Sequence, residues 1–140
     1  MKNKVYSNKA PKPVGSYPHS RIAGDFLFLS GIGPRDPKTN LIPGVHYDDN
    51  MNVVSYDIEK QCHSVFSNIK LVLLDSGAIW SNLIDVTVFL TNMKSDFNRF
   101  NEVYKEYFLE NQPCRTTVEI NSLPTPIAIE LKCIAFLGDK

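Results

Sequence analysis

Pro113-Cys114-Arg115-Thr116-Thr117-Val118-Glu119-Ile120, followed by Leu123-Pro124 and by Ile127-Ala128-Ile129-Glu130-Leu131, is the stretch that decides the fold. It reads as a strand, a tight proline turn and a second strand, that is, a β-hairpin. In the first arm Thr116, Val118 and Ile120 share one face, and Arg115, Thr117 and Glu119 the other. In the second arm Ile127, Ile129, Leu131 and Cys133 alternate with Ala128, Glu130, Lys132 and Ile134. Two residues stand out chemically. Arg115 offers a planar fork suited to a carboxylate. Glu130 is a carboxylate in an apolar strand and needs a partner or a proton. In residue terms alone the two are an ion pair or a site, and the pattern leaves both open.

Upstream, residues 1–17 are polar and broken by Pro11 and Pro13, which remove donors and force extended backbone. A strand over His19–Ile22, a turn at Ala23-Gly24-Asp25 and a strand over Phe26–Ser30 follow as a hairpin. The run Phe26-Leu27-Phe28-Leu29 is continuously apolar, which predicts cover on both faces of that strand. Gly31-Ile32-Gly33-Pro34 ends it, but lacks the third glycine and the helix of a dinucleotide site. Arg35 to Val54 reads as a long irregular loop.

Two helices come next. Ile58, Cys62, Val65, Phe66, Ile69, Val72 and Leu73 recur at helical spacing and predict a helix over Ser55–Ser76, with Gly77 as its left-handed cap. Leu83–Thr91 is a strand, with Ile84, Val86, Val88 and Leu90 on one face. Phe97, Phe100, Val103, Tyr104, Tyr107 and Phe108 predict a second helix over Phe97–Glu110, capped by Ser95 or Asp96. The order is β-β-α-β-α-β-β: an α+β sandwich with both helices on one face of a mixed sheet and the other face bare. A bare face rich in apolar residues predicts self-association.

Composition narrows the function. A chain of 140 residues is one domain, 1–140. Fifteen basic and fifteen acidic residues give no net field for a phosphate backbone, which argues against a nucleic-acid partner. No apolar run of the roughly 18 residues a membrane span needs is present, and the amino terminus has no signal-peptide core. Cys62, Cys114 and Cys133 form neither a disulfide set nor a zinc pattern, and His19, His46 and His63 are scattered, so no metal is expected. Reduced thiols predict a cytoplasmic protein.

These residues, in this order, resemble the RidA family (also YjgF/YER057c/UK114, or endoribonuclease L-PSP). The points of likeness are Gly15-Ser16-Tyr17, Leu29-Ser30-Gly31, Asn101-Glu102-Val103-Tyr104, and above all Pro113-x-Arg115-Thr116-Thr117-Val118-Glu119 with Leu123-Pro124 and Ile129-Glu130. The resemblance covers nearly the whole chain. It implies a chorismate-mutase-like fold and a homotrimer with sites at subunit interfaces. It also implies cofactor-free hydrolysis of enamines and imines such as 2-aminoacrylate to a 2-keto acid and ammonia. It places the carboxylate-binding arginine on Arg115, the water-orienting glutamate on Glu130, and pocket residues on Tyr17 and Gly31. The backbone at Cys114, where the family commonly has alanine, is implied as a bond to the imine nitrogen.

The chain departs from the short RidA proteins in its longer Arg35–Ser55 connection. With Arg21-x-Ala23-Gly24-Asp25-Phe26-Leu27-Phe28 and Phe89-Leu90-x-Asn92-Met93, this looks like the branch that deaminates 2-aminomuconate, an enamine dicarboxylate. A third alternative is a non-catalytic trimer that binds small carboxylates or clients. Cys114 beside a fixed cation also raises a nucleophilic thiol, although no histidine stands near it in sequence to serve as base.

Overall fold

The computed structural model describes residues 3–138. In chain order it contains β1 (Lys4–Val5), β2 (Ser20–Ala23), β3 (Phe26–Leu29), β4 (His46–Tyr47), β5 (Val53–Ser55), α1 (Ile58–Asp75), a 3₁₀ turn (Trp80–Asn82), β6 (Leu83–Leu90), α2 (Met93–Tyr107), β7 (Cys114–Glu119) and β8 (Ile129–Phe136).

Local chemistry sets the helix limits. Asp57 caps α1, its carboxylate accepting from the Lys60 N–H at 3.1 Å, so the helix starts after Ser55 rather than at it. Gly77 has φ +77°, and the Ala78 N–H donates back to the Leu73 carbonyl at 2.8 Å, the cap expected from sequence. α2 starts earlier than its aromatic stripe suggests. Asn92, not Ser95 or Asp96, is the cap; its side chain accepts from the Ser95 N–H at 3.2 Å. Asp96 instead is buried and accepts from the Tyr56 hydroxyl at 2.6 Å.

The main sheet runs β1-β2-β3-β8-β6-β7. β7 pairs parallel to β6, the other neighbours antiparallel. The sheet is therefore mixed, and the fold is the expected α+β, chorismate-mutase-like architecture. The expected β7–β8 hairpin is not formed: β6 lies between the two strands. The 120–128 connection, with Pro124 and Pro126, is no two-residue turn; it carries the chain past the end of β6 instead. A shift in register between Leu83 and Asp85 also corrects the faces of β6. Leu83 turns inward with Val86, Val88 and Leu90, and Ile84 is left exposed.

Phe66, Ile69, Val72 and Leu73 of α1 and Phe100 and Val103 of α2 pack with Leu27, Leu29, Val86, Val88, Ile129 and Leu131 in one core. Burying each large side chain of this kind contributes about 1.5–3 kcal/mol. Among the described residues no helix lies over the opposite sheet face. There Phe26 and Phe28 remain 40% and 41% exposed, and the Phe26 ring packs 5.4 Å from Phe136. The double cover predicted for β3 is thus absent within one chain, because both helices lie on the other side.

The 35–54 segment is more ordered than its composition suggests. Asp36 accepts from the Lys38 and Thr39 N–H groups, Asp48 accepts from those of Asn50 and Asn52, and β4 pairs with β5.

Candidate functional site

Glu130 lies in β8 between Ile129 and Leu131, both wholly buried in the core. Alternation therefore turns its side chain away from the helices. Its carboxyl rests on the backbone of Gly31: a Cβ at that position would sit 2.6 Å from Oε2 and 2.9 Å from Cδ. Only glycine leaves that space. The Gly31 segment is held beside β8 by two hydrogen bonds between Ile32 and Leu131, 2.9 and 3.0 Å long. Burial pushes the Glu130 carboxyl above its ordinary range.

Glu130 and Gly31 line a cavity of about 400 Å³ together with Tyr17, His19, Arg35 and Lys132. Tyr17 enters on the proline-broken segment, where its hydroxyl accepts from the Val14 N–H at 3.3 Å. His19 is buried, its Nδ1 accepting from the Ser7 N–H at 2.9 Å and its Nε2–H donating to the Pro11 carbonyl at 2.8 Å. That arrangement fixes the tautomer and ties the segment down. Lys132 donates to the Leu29 carbonyl at 2.6 Å.

Arg115 is elsewhere. It pairs with Val86, a core residue, so its side chain lies on the helix side of the sheet. Its Nη1 donates to Asn101 Oδ1 at 2.8 Å, and its guanidinium carbon is 4.7 Å from the Tyr104 ring centre and 5.4 Å from that of Phe100. Aromatic faces and a neutral amide hold the cation in place. Among the described residues no carboxylate lies within 4.0 Å of it. The ion pair with Glu130 that the sequence allowed is therefore not made in one chain; the two residues stand on opposite faces. Cys114 is exposed on the same edge strand as Arg115. The structure thus brings Tyr17, Gly31 and Glu130 together and leaves Arg115 and Cys114 outside that cavity.

Comparison with known proteins now adds to this geometry. The family model described as Endoribonuclease L-PSP matches residues 7–137. The chain belongs to that family. A RutC family protein of Pyrococcus horikoshii is 40% identical over 136 residues, 97% of this chain and 98% of that one. One from Saccharolobus solfataricus is 42% identical over 135 residues, 96% and 98% of the two chains. Among solved structures, a Rid family protein from Yersinia pestis is 30% identical, covers 95% of this chain and 97% of its own, and has a TM-score of 0.82. E. coli TdcF with bound serine is 29% identical, with the same coverage and a TM-score of 0.81.

Within this L-PSP family chain, sequence inspection missed the supports of the site, which are polar residues on α1. Gln61 is fully buried and accepts from the Ala128 N–H at 2.8 Å, fixing the start of β8. Ser64 donates to the Pro34 carbonyl at 2.7 Å. Asn68 donates to the carbonyls of Gly33 and Arg35 at 2.9 and 2.8 Å. The available signal was a helix whose apolar stripe is flanked by Gln61, Ser64 and Asn68, neutral polar residues with no local capping role. Cys62 and Cys133 are buried, and burial pushes both thiols up to about 12, which makes them inert packing. Among the described residues no three His, Cys, Asp or Glu side chains converge on a metal-sized site, and no helix is long and apolar enough to cross a membrane.

Proposed function

We propose that the protein is a hydrolytic deaminase of enamine and imine acids, releasing a 2-keto acid and ammonia, with its sites completed between neighbouring chains of a homotrimer. The observation that carries this is the Glu130 carboxyl, raised by burial and seated on Gly31 at the wall of an open cavity. A carboxyl raised by burial holds its proton more readily than an ordinary one, which suits a group that serves as general base and then as acid. The enamine first tautomerises to its imine. Glu130 takes a proton from water as the oxygen adds to the imine carbon and passes it to nitrogen, giving the carbinolamine. It then takes the carbinolamine hydroxyl proton and delivers it to nitrogen as the C–N bond breaks, leaving the keto acid and ammonia.

Arg115 is the carboxylate fork, already gripped by Asn101 and the α2 aromatics and free of any acidic partner among the described residues. It lies across the sheet from Glu130. A second chain laid on the bare face therefore supplies the missing half, and covers Phe26, Phe28 and Phe136 as it does so. Tyr17 closes over the substrate, and the exposed strand at Cys114 offers backbone to the imine nitrogen. That a family relative was solved with serine supports a small amino-acid-like ligand. Although the family is described as an endoribonuclease, equal numbers of acidic and basic residues favour a small molecule over a polyanion.

The test is ammonia and keto-acid release from enzymatically generated 2-iminopropionate, run beside 2-aminomuconate. Turnover of either that disappears in R115A, with the oligomer intact, supports the proposal. Binding of carboxylates without any turnover would make the protein the non-catalytic member of the alternatives.

A further inference from the structure

The cavity around Glu130 holds more positive charge than one carboxylate requires. Lys12, Arg35 and Lys132 line it, against Glu130 as the acidic residue of the wall. Lys132 is engaged with the Leu29 carbonyl, and Lys12 is exposed. Arg35 is different, because it is built in. Its own carbonyl accepts from Asn68, and the carbonyl of Pro34 before it accepts from Ser64, so its backbone is pinned to α1. Its guanidinium donates from Nη1 to Asn40 Oδ1 and from Nη2 to the Lys12 carbonyl, each at 2.6 Å.

Those two bonds leave three of the five guanidinium N–H groups unassigned. Both acceptors are neutral. Among the described residues no carboxylate oxygen lies within 4.0 Å of the group. Neighbouring Asp36 is turned to the Lys38 and Thr39 N–H groups. Arg35 also borders a second hollow of about 460 Å³ that shares Pro11, Lys12, Pro13 and Val14 with the first. A fixed fork with spare donors and no counter-charge, at the wall of a roomy cavity, is matched to a planar anion.

We propose that Arg35 binds a second carboxylate, so that the site takes enamine dicarboxylates, one end on Arg115 of an adjoining chain and the other on Arg35. This rests on the deaminase proposal for the same site. A three-carbon enamine acid has a single carboxylate and leaves Arg35 without a ligand. The plainer role, an arginine that only ties Lys12 to Asn40, predicts no discrimination between mono- and dicarboxylates.

The decisive variant is Arg35→Gln, which keeps an amide donor toward the Lys12 carbonyl and removes the charge. Its KM for 2-aminomuconate should rise at least about tenfold, the cost of losing a charged hydrogen bond, and by a clearly larger factor than its KM for 2-iminopropionate. Arg35→Lys, which keeps the charge but not the fork, should fall between. Equal effects on both substrates, or none on either, would overturn the assignment of Arg35 and leave the deaminase proposal standing. If the wild type turns over neither substrate, the deaminase proposal fails, and calorimetry still decides the role of Arg35. Adipate should bind more tightly than hexanoate, and R35Q should abolish the difference. Equal affinity of the wild type for the two acids would refute a second-carboxylate site.

Discussion

Replacing Gly31 with alanine should separate activity from stability. The new methyl carbon falls 2.6 Å from Glu130 Oε2 and 2.9 Å from Cδ. Ordinary contact begins near 3.4 Å, so the carboxyl must retreat by about 0.8 Å. Glu130 is a flexible side chain, and its face of the sheet is open, so the retreat is cheap and the fold should lose less than about 1 kcal/mol. Catalysis should suffer much more. A misplacement of about 1 Å can cost on the order of 10²-fold, equivalent to roughly 2.7 kcal/mol of barrier. The assay is kcat/KM for ammonia release, set beside the thermal midpoint of the same preparation. Gly24→Ala is the control: nothing lies within 4 Å of its Cβ, but its φ of +61° makes alanine strained. That variant should lose roughly 1–2 kcal/mol of stability and keep its activity. A Gly31→Ala protein with full turnover would refute the placement of Glu130 at the reacting centre.

Other outcomes follow from the same geometry. Because burial raises the Glu130 carboxyl above 4.5, the native state holds a proton there that the unfolded chain has released. Stability should fall as pH rises from 4.5 through the raised value, and a Glu130→Gln protein should lose that part of the dependence in denaturant titrations at several pH values. The acid limb of kcat/KM in the wild type should likewise lie above 4.5. Asn101→Ala frees one side of the Arg115 fork while leaving the aromatic faces, so KM should rise several-fold with kcat nearly unchanged, at a cost of about 1 kcal/mol in folding stability.

The alternation of β8 and the apolar stripe of α1 made the layers legible in the sequence, because burial imposes periods of 2 and 3.6 wherever one face is covered. Helix starts were less legible. The apolar stripe of α2 begins at Phe97, but its cap is the polar Asn92 a turn earlier. Strand neighbours were least legible. The Pro113–Leu131 stretch names two strands correctly, yet nothing local in it shows that β6 separates them, since pairing is decided by contacts distant in sequence. The same blindness affected the site. Tyr17, Gly31 and Glu130 converge in one chain, but the face on which Arg115 stands depends on its parallel register with β6. The cation at Arg35 went unremarked because its surroundings looked like loose loop. Its order comes from Asn68 and Ser64 on a helix far along the chain.

The central claim is that Arg115 and Glu130 act together only across two chains. Arg115→Ala and Glu130→Gln should each be inactive alone. Unfolded together in equal amounts and refolded, they should form mixed trimers, in the proposed assembly, in which a site is intact when one chain supplies the arginine and its neighbour the glutamate. Random mixing should restore about a quarter of wild-type ammonia release per site. Recovery near that level is the expected result; no recovery from mixed trimers, with each variant shown to refold, would contradict the shared site.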